Sequence, residues 1–282
     1  MGSENFQKKY RVVASITDVG IRRENNEDSI LILDGAGCYA VSDGMGGGSA
    51  GEIASSAVVT YIRNAIGDAP MLPKCRRERM AASVYSAHDA ILKYAQKHEY
   101  ESMGATVAAL LLDPWKPNRA DIYFAGDSRI YRLRGKSLEI LSYDHTISNA
   151  SGIPEKNLPP YMAGLLSNAV GIRSGFFLAS ASVDVQENDI FLLCSDGLYR
   201  QIAEDQMIRS LVREKNLDVV LNTWVKTANT AQGLDNLSAI LIRFSGLPEK
   251  YSPDVQEQKL NDTPEPAADN RIQAESQGDT VI

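Results

Sequence analysis

Short, mostly apolar runs punctuated by polar and turn-forming residues recur along the first 246 residues of this chain. Segments 10–17, 29–33, 38–42, 105–112, 121–125, 130–134, 189–194 and 239–244 are strand-like, and turn-forming residues bound most of them. Asp34-Gly35, and Gly135-Lys136 between Leu133 and Leu138, are tight-turn signals that predict antiparallel hairpins. A 3.6-residue period appears in three places. Segment 50–66 sets Ile53, Ala57, Val58, Tyr61 and Ile62 on one face. Segment 76–97 does so with Met80, Val84, Ala87, Ile91 and Tyr94, and 217–231 with Val220, Leu221, Trp224 and Ala228. Helices grouped between hairpins, rather than alternating with single strands, argue against a doubly wound parallel sheet. The pattern predicts an α+β fold in which two antiparallel sheets pack together with helices outside. Segment 144–175 is polar, carries Pro154, Pro159 and Pro160, and has no period. It reads equally as a functional flap or as a surface loop.

Length and composition narrow the class. A chain of 282 residues that is 44% hydrophobic can bury a large core as one large domain or two small ones. It has no run of eighteen apolar residues and no basic-then-apolar leader, so the expectation is a protein that is neither secreted nor membrane-bound. Cys38, Cys75 and Cys194 are scattered and form no CxxC pair, which fits a reducing cytoplasm. The net charge of −7 is unevenly placed: from Leu247 onward eight acids face Lys250, Lys259 and Arg271, a net of −5. That leaves −2 for the body and no basic face for nucleic acid. The expected organisation is a folded domain over 1–246 and a disordered acidic tail over 247–282.

The chemistry gathers in four stretches that set carboxylates beside glycine, serine or asparagine. They are Asn25-Asn26-Glu27-Asp28, Ser42-Asp43-Gly44-Met45-Gly46-Gly47, Ser195-Asp196-Gly197 and Asp235-Asn236-Leu237-Ser238. A single Asp at a strand end is ordinarily a turn or capping residue. Several at the ends of different strands read together as oxygen ligands for hard cations, since Mg²⁺ and Mn²⁺ take carboxylates, carbonyls and water. Asp43, Asp196 and Asp235 are the strand-end carboxylates, and the glycines after Asp43 let backbone approach an ion, with the Gly44 carbonyl as a further ligand. Two such ions, about 3.5–4 Å apart, activate water for in-line attack on phosphorus. A protein cation should also hold the phosphate. Arg23, four residues before Glu27, suits bidentate contact, and Arg22 competes for the role.

Six motifs in order then carry a resemblance. Arg23-x-x-x-Glu27-Asp28, Asp43-Gly44-Met45-Gly46-Gly47, Met103-Gly104-Ala105-Thr106, Gly126-Asp127-Ser128-Arg129, Ser195-Asp196-Gly197 and Asp235-Asn236-x-Ser238 resemble the PP2C (PPM) family of metal-dependent protein serine/threonine phosphatases, over roughly residues 10–244. The resemblance implies a β-sandwich of two antiparallel sheets flanked by helices on both sides. It implies Mn²⁺ or Mg²⁺ as two core ions and a labile third, with Asp43 bridging, Gly44 giving a carbonyl, and Asp196 and Asp235 completing the set. Glu27 and Asp28 would hold coordinated waters, with a bridging hydroxide as nucleophile, Arg23 would bind the substrate phosphate, and Asp127 would serve the third ion. Its partners would be phosphoserine and phosphothreonine proteins, among them a bacterial eukaryote-like Ser/Thr kinase and its targets, with the enzyme acting as a monomer. Two features depart from the common pattern. Met45 stands where many animal members carry a histidine assigned as general acid, and Asn168 stands near Gly171 where an Arg is common. The first is the bacterial form, and it leaves a metal-bound water to protonate the leaving group.

Other signals lead elsewhere and are set aside. Cys194-x₅-Arg200 matches the cysteine-phosphatase spacing, but Asp196 would place negative charge where a thiolate and a phosphate must sit. His88 and His98 read as ordinary helix residues, and His145, beside Asp144 at the flap base, is a candidate to influence phosphate or the third ion. The rival functions are a non-catalytic phosphoprotein-binding member of the fold and a small-molecule phosphomonoesterase.

Overall fold

The computed structural model describes residues 10–46, 49–67, 73–162, 164–173, 175–231 and 233–247. The tail expected from residue 247 falls, from 248 on, outside the described residues.

Eleven strands among the described residues form two antiparallel sheets. In one, β1 (Arg11–Asp18) pairs β11 (Leu237–Phe244), followed by β10 (Ile190–Cys194), β7 (Arg129–Arg134) and β8 (Ser137–Ile140). In the other, β2 (Asp28–Leu33) pairs β3 (Cys38–Met45), followed by β5 (Val107–Leu112), β6 (Arg119–Ala125) and β9 (Ala179–Asp184); the short β4 (Gly104–Ala105) pairs the end of β3. Alternation along the strands sorts side chains into layers. Tyr39, Val41, Leu110, Ile122 and Phe124 from one sheet meet Ile130, Phe191, Leu193, Ile240 and Ile242 from the other. The residues between them face outward onto helices.

On one side lie α1 (Ser49–Ile66) and α2 (Pro73–Lys97), whose Val58, Ile62, Met80, Val84 and Ile91 pack over Leu31, Ala40, Val107 and Ala109. On the other, α4 (Asp196–Tyr199), α5 (Glu204–Arg213) and α6 (Leu217–Thr230) bring Leu198, Met207, Leu211, Leu221 and Trp224 onto Tyr131, Leu192, Ala239 and Leu241. Each fully buried side chain of this size stabilises by about 1.5–3 kcal/mol relative to exposure. Asn216 starts α6, its side chain accepting from the amides of Asp218 and Val219. The α+β sandwich expected from the sequence is the observed architecture.

The β2–β3 turn is pinned. Asp34–Ala36 forms a 3₁₀ turn that Gly37 ends at φ +62°, where a side chain is disfavoured. Asp34 Oδ1 accepts from Arg11 Nε at 2.7 Å and from the Tyr39 hydroxyl at 2.5 Å. The described residues of 144–175 are mostly irregular, with a short helix α3 (Ile147–Ser151) that Thr146 caps and two 3₁₀ turns. Among the described residues no helix is long and apolar enough to cross a membrane.

Candidate metal centre

The acidic residues meet where the ends of the two sheets come together. Asp28 opens β2 and faces Asp43 across the ladder, in a register that pairs Ser29 with Ser42 and Ile30 with Val41. Asp43 does not end its strand, as the sequence predicts; β3 runs on to Met45 because β4 pairs Gly104 and Ala105 with Met45 and Gly44. Asp196 is likewise not the end of a strand but the first residue of α4, two residues after β10 closes. Asp235 precedes β11 as expected, and Asp127 lies in the turn between β6 and β7.

Like charges opposite each other on neighbouring strands oppose folding, and here little offsets them. Asp28 is 8% exposed. Its Oδ2 accepts from the Ser195 hydroxyl at 2.7 Å, and its Oδ1 is buried with no hydrogen-bond partner among the described residues. Burial raises the Asp28 carboxyl to about 7; Asp196 and Asp235 add to this and the Ser195 hydroxyl opposes it. Burial also lifts Asp43 well above the carboxylate range, with Asp28, Asp196, Asp127 and Asp235 all pushing the same way. Asp196 is raised by burial, against the pull of Arg200, and Asp127 is raised to about 6 by burial and by Asp196. Desolvated carboxylates that repel one another favour a bound cation over solvent.

Two arginines enter the cluster. Arg23 Nη2 meets Asp235 Oδ2 at 2.8 Å, which places Arg23 at the site; Arg22 is exposed and has no side-chain contact there among the described residues. Arg200, absent from the sequence-based candidates, spans Asp196 (Nε to Oδ2, 2.9 Å) and Asp127 (Nη2 to Oδ2, 3.4 Å). Its spacing of four from Asp196 at a helix start was the available signal. Among the described residues, no group of three or more His, Cys, Asp or Glu side chains is arranged to hold a metal ion; Asp127, Asp196 and Asp235 are engaged by these arginines. The donor set nevertheless suits hard divalent cations. It is all oxygen and net negative, it includes an orphaned buried oxygen, and its backbone leaves no room for a side chain at Gly44. A β-carbon there would stand 2.1 Å from the Gly51 carbonyl oxygen and 2.6 Å from that of Glu27.

Hydroxyl and amide side chains hold the frame. Asn236 accepts the Glu27 amide at 2.8 Å and donates to the Val19 and Asn25 carbonyls at 2.9 Å each, so it shapes the loop that bears Arg23 and Glu27. The Glu27 carboxylate itself lies against Gly51 at the start of α1. Thr106 Oγ1 accepts the Asp43 amide at 2.9 Å and pairs with Ser128 Oγ at 2.6 Å. Cys194 is fully buried and burial pushes its thiol up, which removes the cysteine-phosphatase reading.

Comparison with known proteins places this geometry in a family. The model of the family described as protein phosphatase 2C matches residues 21–242. Protein phosphatase PhpP of Streptococcus pneumoniae is 29% identical over 249 residues, covering 83% of this chain and 97% of that protein. The structure of PppA, described as a key regulatory component of T6SS in Pseudomonas aeruginosa, superposes with a TM-score of 0.75 at 32% identity, covering 83% and 98% of the two chains. The catalytic domain of serine/threonine phosphatase PstP, solved with two manganese ions, gives 0.71 at 28% identity and the same coverage. The chain belongs to the protein phosphatase 2C family of metal-dependent protein serine/threonine phosphatases.

Proposed function

We propose that the enzyme hydrolyses phosphoserine and phosphothreonine in proteins by direct attack of water on phosphorus, at a site where Asp43, Gly44, Asp196 and Asp235 hold two Mn²⁺ or Mg²⁺ ions. Asp127 would serve a third, labile ion, and Glu27 and Asp28 would orient water. The observation that carries this reading is the trio Asp28, Asp43 and Asp196: three desolvated carboxylates pressed together, one with an orphaned oxygen. When bound, the cations supply Lewis acidity, acidifying water and offsetting the charge that gathers on the phosphoryl oxygens.

The remaining roles fall to the protein. Arg23, on the rim beside Asp235, holds the phosphate dianion in its planar fork, which fixes the phosphorus for in-line approach. The buried Oδ1 of Asp28 accepts a hydrogen of the attacking water and aligns its lone pair. As the water oxygen bonds to phosphorus, the ester P–O bond breaks and the seryl or threonyl oxygen departs. Met45 carries no proton to give, so that oxygen takes its proton from water. The products are inorganic phosphate and the free hydroxyl side chain. The family resemblance supports a Ser/Thr kinase among the phosphoprotein substrates.

The test compares turnover of a phosphothreonine peptide, sugar phosphates and nucleotides with Mn²⁺, with Mg²⁺ and after EDTA. Cation-dependent turnover of the peptide above the small molecules is expected, surviving thiol alkylation. Turnover that persists in EDTA, or that is lost in a folded, metal-loaded Cys194→Ser protein, would overturn the mechanism.

A further inference from the structure

His145, at the base of the irregular 144–175 segment, is a buried polar residue that the mechanism leaves unused. The side chain is enclosed by Phe124, Tyr143 and Phe177, with ring centroids 5.6, 4.8 and 4.9 Å away. The residue is 5% exposed, and its Nε2 is buried with no partner among the described residues. Nδ1 faces the Gly126 amide at 3.1 Å. An amide nitrogen only donates, so Nδ1 is the acceptor and the ring hydrogen sits on Nε2. The one hydrogen that the neutral ring carries, on Nε2, is buried among these side chains and shut off from an entering substrate. The role of proton donor is therefore closed to it.

Its contacts point to another task. The His145 amide donates back to the Gly126 carbonyl at 2.9 Å, so residues 126 and 145 hold each other at two points. Gly126 needs this hold. Its φ of +100° is one that residues with a β-carbon resist, and a β-carbon there would lie 2.6 Å from Thr106 Cγ2. The next residue is Asp127, so the turn fixes the backbone from which its carboxylate projects toward Arg200. Behind the ring stands Asn168, 1% exposed, with Nδ2 3.3 Å from His145 Nδ1. Asn168 also donates to the Phe177 carbonyl at 2.9 Å and accepts the Phe177 amide at 3.2 Å, while the Ser167 amide donates to the His145 carbonyl at 2.8 Å. The beginning of the irregular segment, its return and the Asp127 turn thus meet at one imidazole.

We propose that His145, backed by Asn168, is a positioning residue that sets Asp127 through the Gly126 amide and couples the flap to the outer cation position. This rests on the reading of Asp127 as a ligand of the labile ion. Asn168, where the resemblance leads one to expect an Arg, then acts as a pin within the protein and not as a contact for substrate.

The test is a calorimetric Mn²⁺ titration of the full chain and of Asp127→Asn, His145→Phe and His145→Asn, with melting curves alongside. Phe keeps the ring volume and removes the acceptor, whereas Asn places an oxygen near the position of Nδ1. The weakest class of Mn²⁺ sites should weaken tenfold or more in Asp127→Asn and in His145→Phe, and stay within threefold of wild type in His145→Asn, with tight binding unchanged in all. Activity should follow: raising Mn²⁺ restores His145→Phe equally toward a phosphothreonine peptide and an aryl phosphate. A wild-type isotherm in His145→Phe, equal damage in the Phe and Asn variants, or a loss confined to the peptide would each overturn the proposal. Should His145→Phe fail to fold, Asn168→Ala carries the test, with a threefold or greater weakening expected and an unchanged isotherm counting against it. An Asp127→Asn isotherm equal to wild type would instead overturn the reading of Asp127, and this inference with it.

Discussion

One strand, β10, has an aspartate just beyond each end, and the two are treated in opposite ways. Asp189, before its first residue, is fully buried and fully served: Arg134 donates to it through Nε at 2.8 Å and Nη2 at 2.7 Å, and the Gln186 amide adds a third bond at 2.8 Å. Asp196, past its last residue, has a half-exposed Arg200 as its ion-pair partner, lies under the repulsion of Asp235, and itself helps to push Asp43 up. Burial of charge is common to both, so burial alone does not mark a working carboxylate. What separates them is whether the protein has supplied the donors. Asp189 is complete within the chain, whereas the cluster around Asp196 and Asp28 retains an orphaned oxygen and unrelieved repulsion, which is the condition of a binding site.

The contrast breaks most sharply under substitution. Asp43→Asn or Asp196→Asn should cost turnover a thousandfold or more, about 4 kcal/mol of barrier, and leave the melting temperature unchanged or raised because repulsion is relieved. Kinetics and melting on the same preparations decide this, and a large drop in melting temperature would make these carboxylates structural. Asp189→Ala should do the reverse. It removes three hydrogen bonds, two of them from Arg134, which keeps only Asp184 as its partner, and should lower stability by about 2–3 kcal/mol, read by urea unfolding, with turnover per folded molecule as in wild type. Arg23→Ala should raise KM for a phosphothreonine peptide about tenfold, near 1.4 kcal/mol, with little change in Mn²⁺ affinity by calorimetry. Equal loss of metal in Arg23→Ala and Asp43→Asn would merge roles kept separate here. Smallest of all, removal of residues 248–282 should leave melting and turnover as they are. A truncated chain that melts several degrees lower would move the domain boundary beyond 246.

The sandwich was legible because its inner strands, buried on both faces, are coded by short continuous apolar runs bounded by turns, and the three long helices by their period. Among the elements that escaped, two show why. The edge strand β9, Ala-Ser-Ala-Ser-Val-Asp, is largely exposed and has no buried face to write into the sequence. Helix α5 is largely polar, with Met207 and Leu211 buried and Ile208 packed beside them. At the site, the carboxylates were legible from the glycine, serine and asparagine beside them. Their partners were not. Ser195 reaches Asp28 across 167 residues and Asn236 reaches Glu27 across 209, pairings that no local spacing encodes. Arg200 was hidden by a rival motif, and its contact with Asp127 exists only once β6, β7 and α4 converge.

The pinned turn between β2 and β3 has a consequence for how this enzyme can vary. Successive strand residues face opposite ways, so adding one residue to that turn invites a slip that would set Ser42 or Gly44 opposite Asp28 and carry Asp43 to the wrong face. Arg11 and Tyr39 fasten Asp34 at the end of the hairpin away from the acidic cluster, and so act as a lock on its reading frame. A one-residue insertion there is a switch thrown from a distance, able to silence the enzyme while every residue that touches substrate is left unaltered.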